Sequence, residues 1–571
     1  MEKVEIFIEN DGSTVEVDFG TTLNAVKNHK YMMTKVEKTG QETPVLAALV
    51  DNKLKELDFP LIGAHKVRFI GYDHEQGRRC YVRSLCFVLQ AAIRKLFPDN
   101  VLVIDYSLPT GLYCEIREQK PEEDGTPIIK QLNWQELAEI KAEMQNIIDA
   151  DMPLKKEKMS TVNACKMFRA NHQPEKARLL ESTGRDLISI YRLGDCLDTF
   201  YGPLLPNTGL ITTFDILDFR DGFCLQFPCD LAQSQIMPMQ NQGKIANALK
   251  AHSTWCSVLG ITGVGTLNKF IMEGKASELI NLAEARHCRA YAEIADQIYA
   301  QRDLKRIVFI AGPSSSGKTS TSLRLALQLK VLGLNPKVIE LDNYFVNREN
   351  TPKDENGDYD FESLYAMDLE LLGKQINDLL DGKQVEIPRF DFKEGKGYFE
   401  GNFMTLGDKD ILIMEGIHAL DPDMIPDVDP TKVFRVYASA LTSLSVDENN
   451  NISTADSRLL RRIVRDNRVR GISPEETIMR WHSVRRGENR NIFPFQENAD
   501  AVFNSALLFE LPMLKYYTEP LLKRISPMSP AYAEAVRLLK FLEYIVALTP
   551  EEIAVIPPVS IMREFIGGQC L

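Results

Sequence analysis

The sequence predicts a multidomain α/β protein, and three observations carry that reading. The chain has 571 residues, and at about 150 residues per domain that calls for three or four domains. Residues 1–72 are a succession of short β-prone runs, after which apolar residues at helical spacing take over. From Ile307 onward apolar strands alternate with helical segments, the order of a parallel sheet covered on both faces.

Taken in order, "KVEIFI", "STVEVDF", "VLAALV" and "KVRFIG" are the strands of a small β-rich unit over residues 1–72, with "DGS" turning the first into the second. From Tyr81, "YVRSLCFVLQAAIRKLF" is an amphipathic helix and "NWQELAEIKAEMQNIIDADM" is another, so residues 73–240 form a separate α+β domain. Residues 241–304 read as a helical connector whose charged helix packs on the half that follows. Residues 305–510 hold the parallel unit, with further strands at "PKVIELD", "DILIMEG", "KVFRVYAS" and "DAVFNSAL". Residues 511–571 are a helical extension with Pro-rich interruptions. There "AEAVRLLKFLEYIVAL" is core or interdomain packing, because Lys540 and Glu543 break its apolar run.

Composition narrows the class. Hydrophobic residues make up 44% and charged residues 26%, ordinary for a soluble protein, and no window reaches the roughly 18 unbroken apolar residues of a membrane span. The start "MEKVEIFIEND" places acidic residues where a signal peptide has a basic segment and an apolar run, so the cytoplasm is the expected location. Ten cysteines without a C-x-x-C pair fit reduced, mostly buried thiols, and the eight histidines contain no H-x-x-x-H. A net charge of −13 argues against nucleic-acid binding by the chain as a whole and leaves room for a local basic face.

The stretch "GPSSSGKT" matches G-x-x-x-x-G-K-[ST] at every fixed position, between an apolar run and a helical one. Gly312, Pro313, Ser314, Ser315, Ser316 and Gly317 supply a backbone that curls its N–H groups around a phosphate. The following helix adds its positive end, with Lys318 neutralising charge, Thr319 ligating Mg²⁺ and Ser320 next in line. Glu415, closing "ILIMEG", is the second metal ligand expected at the end of a neighbouring strand. Asp342, closing "VIELD", is placed to orient an alcohol and take its proton, on a strand expected to neighbour the loop. In "RLLRRIVRDNRVRG", Arg458, Arg461, Arg462 and Arg465 fall at i, i+3, i+4 and i+7, a cationic helix face. Three readings fit that face: a solvated surface, an RNA-binding patch, or a lid closing on a triphosphate.

"GPSSSGKT", "LDNYF", "IPRFDF", "MEGIHAL" and "RLLRRIVRDNRVRG", in that order, resemble the uridine kinase and phosphoribulokinase family of P-loop kinases over about residues 305–510. The resemblance implies ATP with Mg²⁺ and a sugar hydroxyl as acceptor. It puts Asp342 at the general-base position, Asp360 of "YDFES" on ribose hydroxyls with Phe345 and Phe390 beside the acceptor, Arg461 and Arg462 on phosphate, and Arg465 and Arg470 in the lid. Two departures stand out. Uridine-cytidine kinases follow the "IP" of the base pocket with Tyr and then His, where this chain has Phe390 and Gly395, and the lid R-G-R ends here in Ile472. An apolar pocket discriminates weakly, so a broader or different nucleoside range follows.

The first half resembles two modules of threonyl-tRNA synthetases: a β-grasp-like TGS domain over residues 1–72, and the editing domain over 73–240 through "RSLCFVLQAAIRKLFPD", "GLYCEI" and "DTFYGPLLPNTG". Where that editing family carries its His and Cys cluster, this chain has Arg83, Phe87, Phe200 and Leu204, none a usual zinc ligand, so the resemblance implies a retained fold with a dead editing site. The expected activity is γ-phosphate transfer from ATP to a sugar hydroxyl, foremost the 5′-hydroxyl of uridine or another nucleoside. Two alternatives stay open: a kinase of a non-nucleoside sugar or sugar phosphate, and an RNA-binding regulator that uses ATP as a switch. RNA contact through residues 1–240 and a homo-oligomer are further partners left open by the sequence.

Overall fold

The computed structural model describes the chain except at residues 1, 37–39, 121–125, 230–233, 241, 354–356 and 358. The first residue expected for the connector, 241, therefore lies outside the described residues. At the amino-terminal end, Lys3–Ile8 sits between Ser13–Asp18 and His65–Ile70, and Ala47–Val50 and Lys53–Lys55 complete a five-stranded sheet. Alternation does the folding: Ile6, Ile8, Val67 and Phe69 turn to one side and bury against Leu23 and Val26 of the helix Leu23–Lys30.

The next helix runs Glu75–Leu96, starting at Glu75 rather than Tyr81. His74 caps it by accepting from the Gln76 amide, and the first turn buries Gln76 and Gly77, which carry no apolar signal to announce a helix. The helix Trp134–Asp149 starts at a capping box in which Asn133 and Glu136 exchange side-chain and backbone bonds. Both pack on a four-stranded sheet ordered Asp215–Phe219, Gly222–Gln226, Gly111–Glu118, Asn100–Leu108.

In the second half a five-stranded parallel sheet runs in the order Asn335–Glu340, Asp410–Glu415, Ile307–Ala311, Val433–Ser439, Ala501–Asn504. The expectation that the Asp342 strand neighbours the phosphate loop is corrected here, since Asp410–Glu415 lies between Asn335–Glu340 and the loop strand. A crossover that skips one position satisfies the same handedness and burial rules as an adjacent one, so alternation alone does not choose between them. The connector helix Ala276–Ala300 and the helices Glu510–Leu522 and Tyr532–Leu542 share one core with Val308, Ile310 and Phe434 of this sheet.

The two halves interlock. Residues 439–452 leave the sheet and enter the editing-like domain, where Ile104 N–H donates to the Glu448 carbonyl (2.9 Å) and Asn449 Nδ2 to that of Leu102 (2.9 Å). Beneath that loop Lys176, wholly buried, pairs with Asp198 and lies 3.6 Å from Asp447 and 3.0 Å from the Asn449 side-chain oxygen. Phe87 and Phe200 stack edge to face at 5.3 Å with Leu204 buried beside them, and Arg83 lies against Gly202. Among the described residues no helix is long and apolar enough to cross a membrane. Of the ten cysteines, Cys229, Cys288 and Cys570 are exposed and the others buried.

Candidate functional site

The loop strand Ile307–Ala311 is buried throughout and delivers residues 312–317 to the start of the helix Lys318–Val331, at the carboxyl edge of the sheet where ligands of open α/β folds sit. Gly312 has no alternative, because a Cβ there would collide with the Ala438 carbonyl. Ser315 (φ 60°) and Gly317 (φ 85°) take left-handed conformations, and the loop curls as an anion nest does. The hydroxyls of Ser315 and Ser316 are buried with no hydrogen-bond partner among the described residues, which fits a loop shaped for an anion.

Behind the loop stand two buried ion pairs. Arg458 donates to Glu488 (2.9 Å) and to the Ser314 carbonyl (3.1 Å), while Glu488 in turn accepts from the Ser314 amide (3.1 Å). Arg461 pairs with Glu510 (2.7 and 2.6 Å) and donates to the Ser505 carbonyl (2.8 Å). The single cationic face read from the spacing therefore divides. Arg458 and Arg461 point into the core and brace the loop, whereas Arg462 reaches the Ser314 hydroxyl (2.7 Å) and Arg465 and Arg470 gather on Asp466 at 3.1 and 3.4 Å. Glu488 and Glu510, in later helices, are the residues that decide this, and no local pattern links them to the arginines.

At the front, Thr319 donates its hydroxyl to Glu415 (2.6 Å), so the two residues expected to hold a metal already touch. Burial pushes the Glu415 carboxyl up to about 7, against the pull of Lys318. Asp342, in the short 3₁₀ turn Leu341–Tyr344 that ends the edge strand, is also raised by burial and held back by Lys318 and Arg470. Despite the intervening strand, Lys318 acts on its carboxyl.

Sequence reading missed Glu362. Burial raises its carboxyl to about 7, aided by Glu488 and opposed by Arg462 and Lys318, so it shares Lys318 with Asp342. Gly487 leaves it room, since a Cβ there would stand 2.7 Å from the Glu362 side chain. Asp360 instead lies 3.3 Å from Arg490 and accepts from the Glu362 amide (3.2 Å). In "YDFES" both acids sit on the same strand-like parity, so only the fold chooses between them. Phe345, Phe390 and Phe392 form an aromatic trio with ring centroids 5.6, 5.2 and 6.2 Å apart, the latter two on the hairpin Arg389–Asp391 and Lys396–Tyr398. Phe392 was not singled out in the sequence.

Fold and site together define a P-loop protein: a phosphate loop on the central strand of a parallel sheet, with carboxylates and arginines converging on its open side. The phosphoribulokinase / uridine kinase family model matches residues 307–508. A uridine kinase of Macrococcus caseolyticus is 33% identical over 197 residues, 34% of this chain and 86% of that protein. This chain belongs to the phosphoribulokinase / uridine kinase family. Its amino-terminal part is similar to threonine–tRNA ligases, that of Desulforamulus reducens at 28% identity over 214 residues and that of Thermotoga neapolitana at 31% over 183. The chain spans 31% and 27% of the length of these two ligases, and 37% and 31% of its own length is matched. Among solved structures, a possible uridine kinase from Bacillus stearothermophilus aligns at 19% identity with a TM-score of 0.26, covering 38% of this chain and 98% of that one.

Proposed function

We propose that this chain transfers the γ-phosphate of ATP to a sugar hydroxyl, with the 5′-hydroxyl of uridine or another nucleoside as the acceptor. One observation carries the reading: beside the phosphate loop, where Thr319 touches Glu415 at 2.6 Å, the carboxyls of Asp342, Glu362 and Glu415 are each raised by burial and tempered by Lys318. The loop amides and Lys318 hold the phosphates, and Arg462, Arg465 and Arg470 meet the transferring group from the other side. Asp342 takes the proton of the acceptor hydroxyl as the new O–P bond forms and the bond to the β-phosphate oxygen breaks, releasing ADP. A carboxylate made more basic by burial suits that task. Glu362 accepts from the acceptor's ribose hydroxyls, the role that the resemblance implies for Asp360. Mg²⁺, for which the touching Thr319 hydroxyl and Glu415 carboxyl are a fitting pair, supplies positive charge to the phosphates when bound. The aromatic trio favours an acceptor bearing a planar base over a bare sugar phosphate, which would call for cations where Phe345, Phe390 and Phe392 stand. ADP release from Mg-ATP by the full chain, across nucleosides, pentoses and pentose phosphates, tests this. Strong turnover of a nucleoside is expected, and turnover of pentose phosphates alone would replace the nucleoside reading.

A further inference from the structure

The helix that carries the phosphate loop is already in contact with an anion of the protein's own. Residues 557–569 lie across its first turn: Ile561 stands over Gly317, where any Cβ would strike it, and the Glu564 carboxylate accepts from the Ser320 hydroxyl at 2.6 Å, with the Ser320 amide 3.4 Å away. Gln569, brought back by the left-handed turn at Gly567 (φ 95°) and Gly568 (φ 78°), donates to the same hydroxyl at 2.8 Å. The segment is also held from the arginine side, where Arg468 donates to the carbonyls of Phe565 (2.9 Å) and Glu564 (3.0 Å). Ser560 ties it to the connector by donating to Glu284 (2.5 Å), which pairs with Arg324 of the loop helix (3.2 Å). The outcome is local: Ser320 is fully buried beneath the segment, while Thr319, one residue before it, is exposed.

Ser320 sits in the first turn of the helix, where backbone N–H groups have no intrahelical partner and take anions. In a loop of this type Lys318 serves the phosphates farthest from the nucleoside and Thr319 the metal, so the next amide and hydroxyl serve the α-phosphate. A carboxylate and a phosphate cannot share one hydroxyl and one helix end without bringing like charges together. Resting on the nucleotide reading above, we propose that residues 557–569 are an autoinhibitory strap in which Glu564 stands in for the α-phosphate, so that nucleotide and strap compete for Ser320. Binding of ATP lifts the strap and at the same time releases Arg468 from the Phe565 and Glu564 carbonyls, which couples nucleotide entry to the arginine segment.

Hydrogen exchange of residues 557–569 in the full chain, with and without saturating Mg-ADP, reads the competition directly. Exchange there is expected to quicken with ADP, and Glu564→Gln and Gln569→Ala are each expected to lower KM for ATP by about three- to tenfold while KM for the acceptor holds. Unchanged or slower exchange with ADP, or variants that raise KM for ATP, would mean that the strap is a structural cap or a wall of the nucleotide pocket, and would overturn the proposal. Should Glu564→Gln fail to fold, the exchange measurement on the unaltered chain decides alone. If the unaltered chain shows no thermal shift with Mg-ADP, the nucleotide reading falls and takes the strap with it; ADP binding under an undisturbed strap sinks the strap only.

Discussion

Asp342, Glu362 and Glu415 illustrate what burial does to a carboxyl: each is raised by it and held back by Lys318. Asp342→Asn is expected to lower kcat by about 10²–10⁴-fold while Mg-ADP still shifts the melting temperature; near-normal turnover would remove Asp342 from the base role. Glu362→Gln is expected to raise KM for the acceptor about tenfold, against about threefold or less for Asp360→Asn, and the reverse order would restore Asp360 to the acceptor. Glu415 carries the pH dependence. Its folded value lies near 7, above the ordinary glutamate range, so it stays protonated below that pH and must lose a proton to ligate a cation. Apparent Mg²⁺ affinity should therefore fall by up to about tenfold for each pH unit below 7 and level off above it, and Glu415→Gln should flatten the profile. With no ligand the sign for stability is opposite: the protonated group stabilises the fold in full at low pH, and that contribution fades as pH rises through about 7. Asp342 and Glu415 were legible because each closes an apolar run. Glu362 was not, because nothing local separates it from Asp360.

At the scale of elements, the helix Thr454–Arg465 divides its arginines between two tasks that its sequence does not distinguish. Those that meet Glu488 and Glu510 are buried charges with one carboxylate partner each, and removing one side of such a pair costs about 3–5 kcal/mol. Arg461→Ala is expected to fall in that range by chemical denaturation, because it also strips the Ser505 carbonyl of its donor. Arg470→Ala, half-exposed at the end of the same segment, should change stability by no more than about 0.5 kcal/mol and act on kcat instead. Equal loss of stability in both would mean that the segment works as one brace. The strand elements were easier to read than their order, since a period of two marks each strand while neighbour relations depend on crossovers the chain makes elsewhere.

For the whole molecule the decisive feature is the loop 439–452, which starts beside the phosphate loop, ends at the arginine helix and buries its middle in the editing-like domain. Lys176 neutralises Asp198 and Asp447 there with no access to water, and Asp447 comes from the other half of the chain. Lys176→Met leaves two buried carboxylates with no cation, an expected loss of about 3–5 kcal/mol. Because the pair spans the halves, both should melt in one transition that moves down together; a variant that melts the first half and leaves nucleotide binding intact would show that the halves are independent. Ala533, from the helix Tyr532–Leu542, packs in the same core as Leu85 and Phe200, a second tie across the molecule.

By itself the sequence determined the phosphate loop, the class of sheet that carries it, the carboxylates closing two of its strands and the resemblance of each half to a known family, because these rest on local spacing: a turn of glycines, a period of two, a period near four. Tertiary structure alone decided which arginines are drawn into the core to brace the loop, that Glu362 comes under the charge of Lys318, that Phe87 and Phe200 stack against each other, and that Glu564 reaches back to Ser320. Each of these depends on a partner dozens to hundreds of residues away. Buried charge is what makes such partners obligatory, since a carboxylate or guanidinium out of water must be matched by whichever segment the fold brings to it.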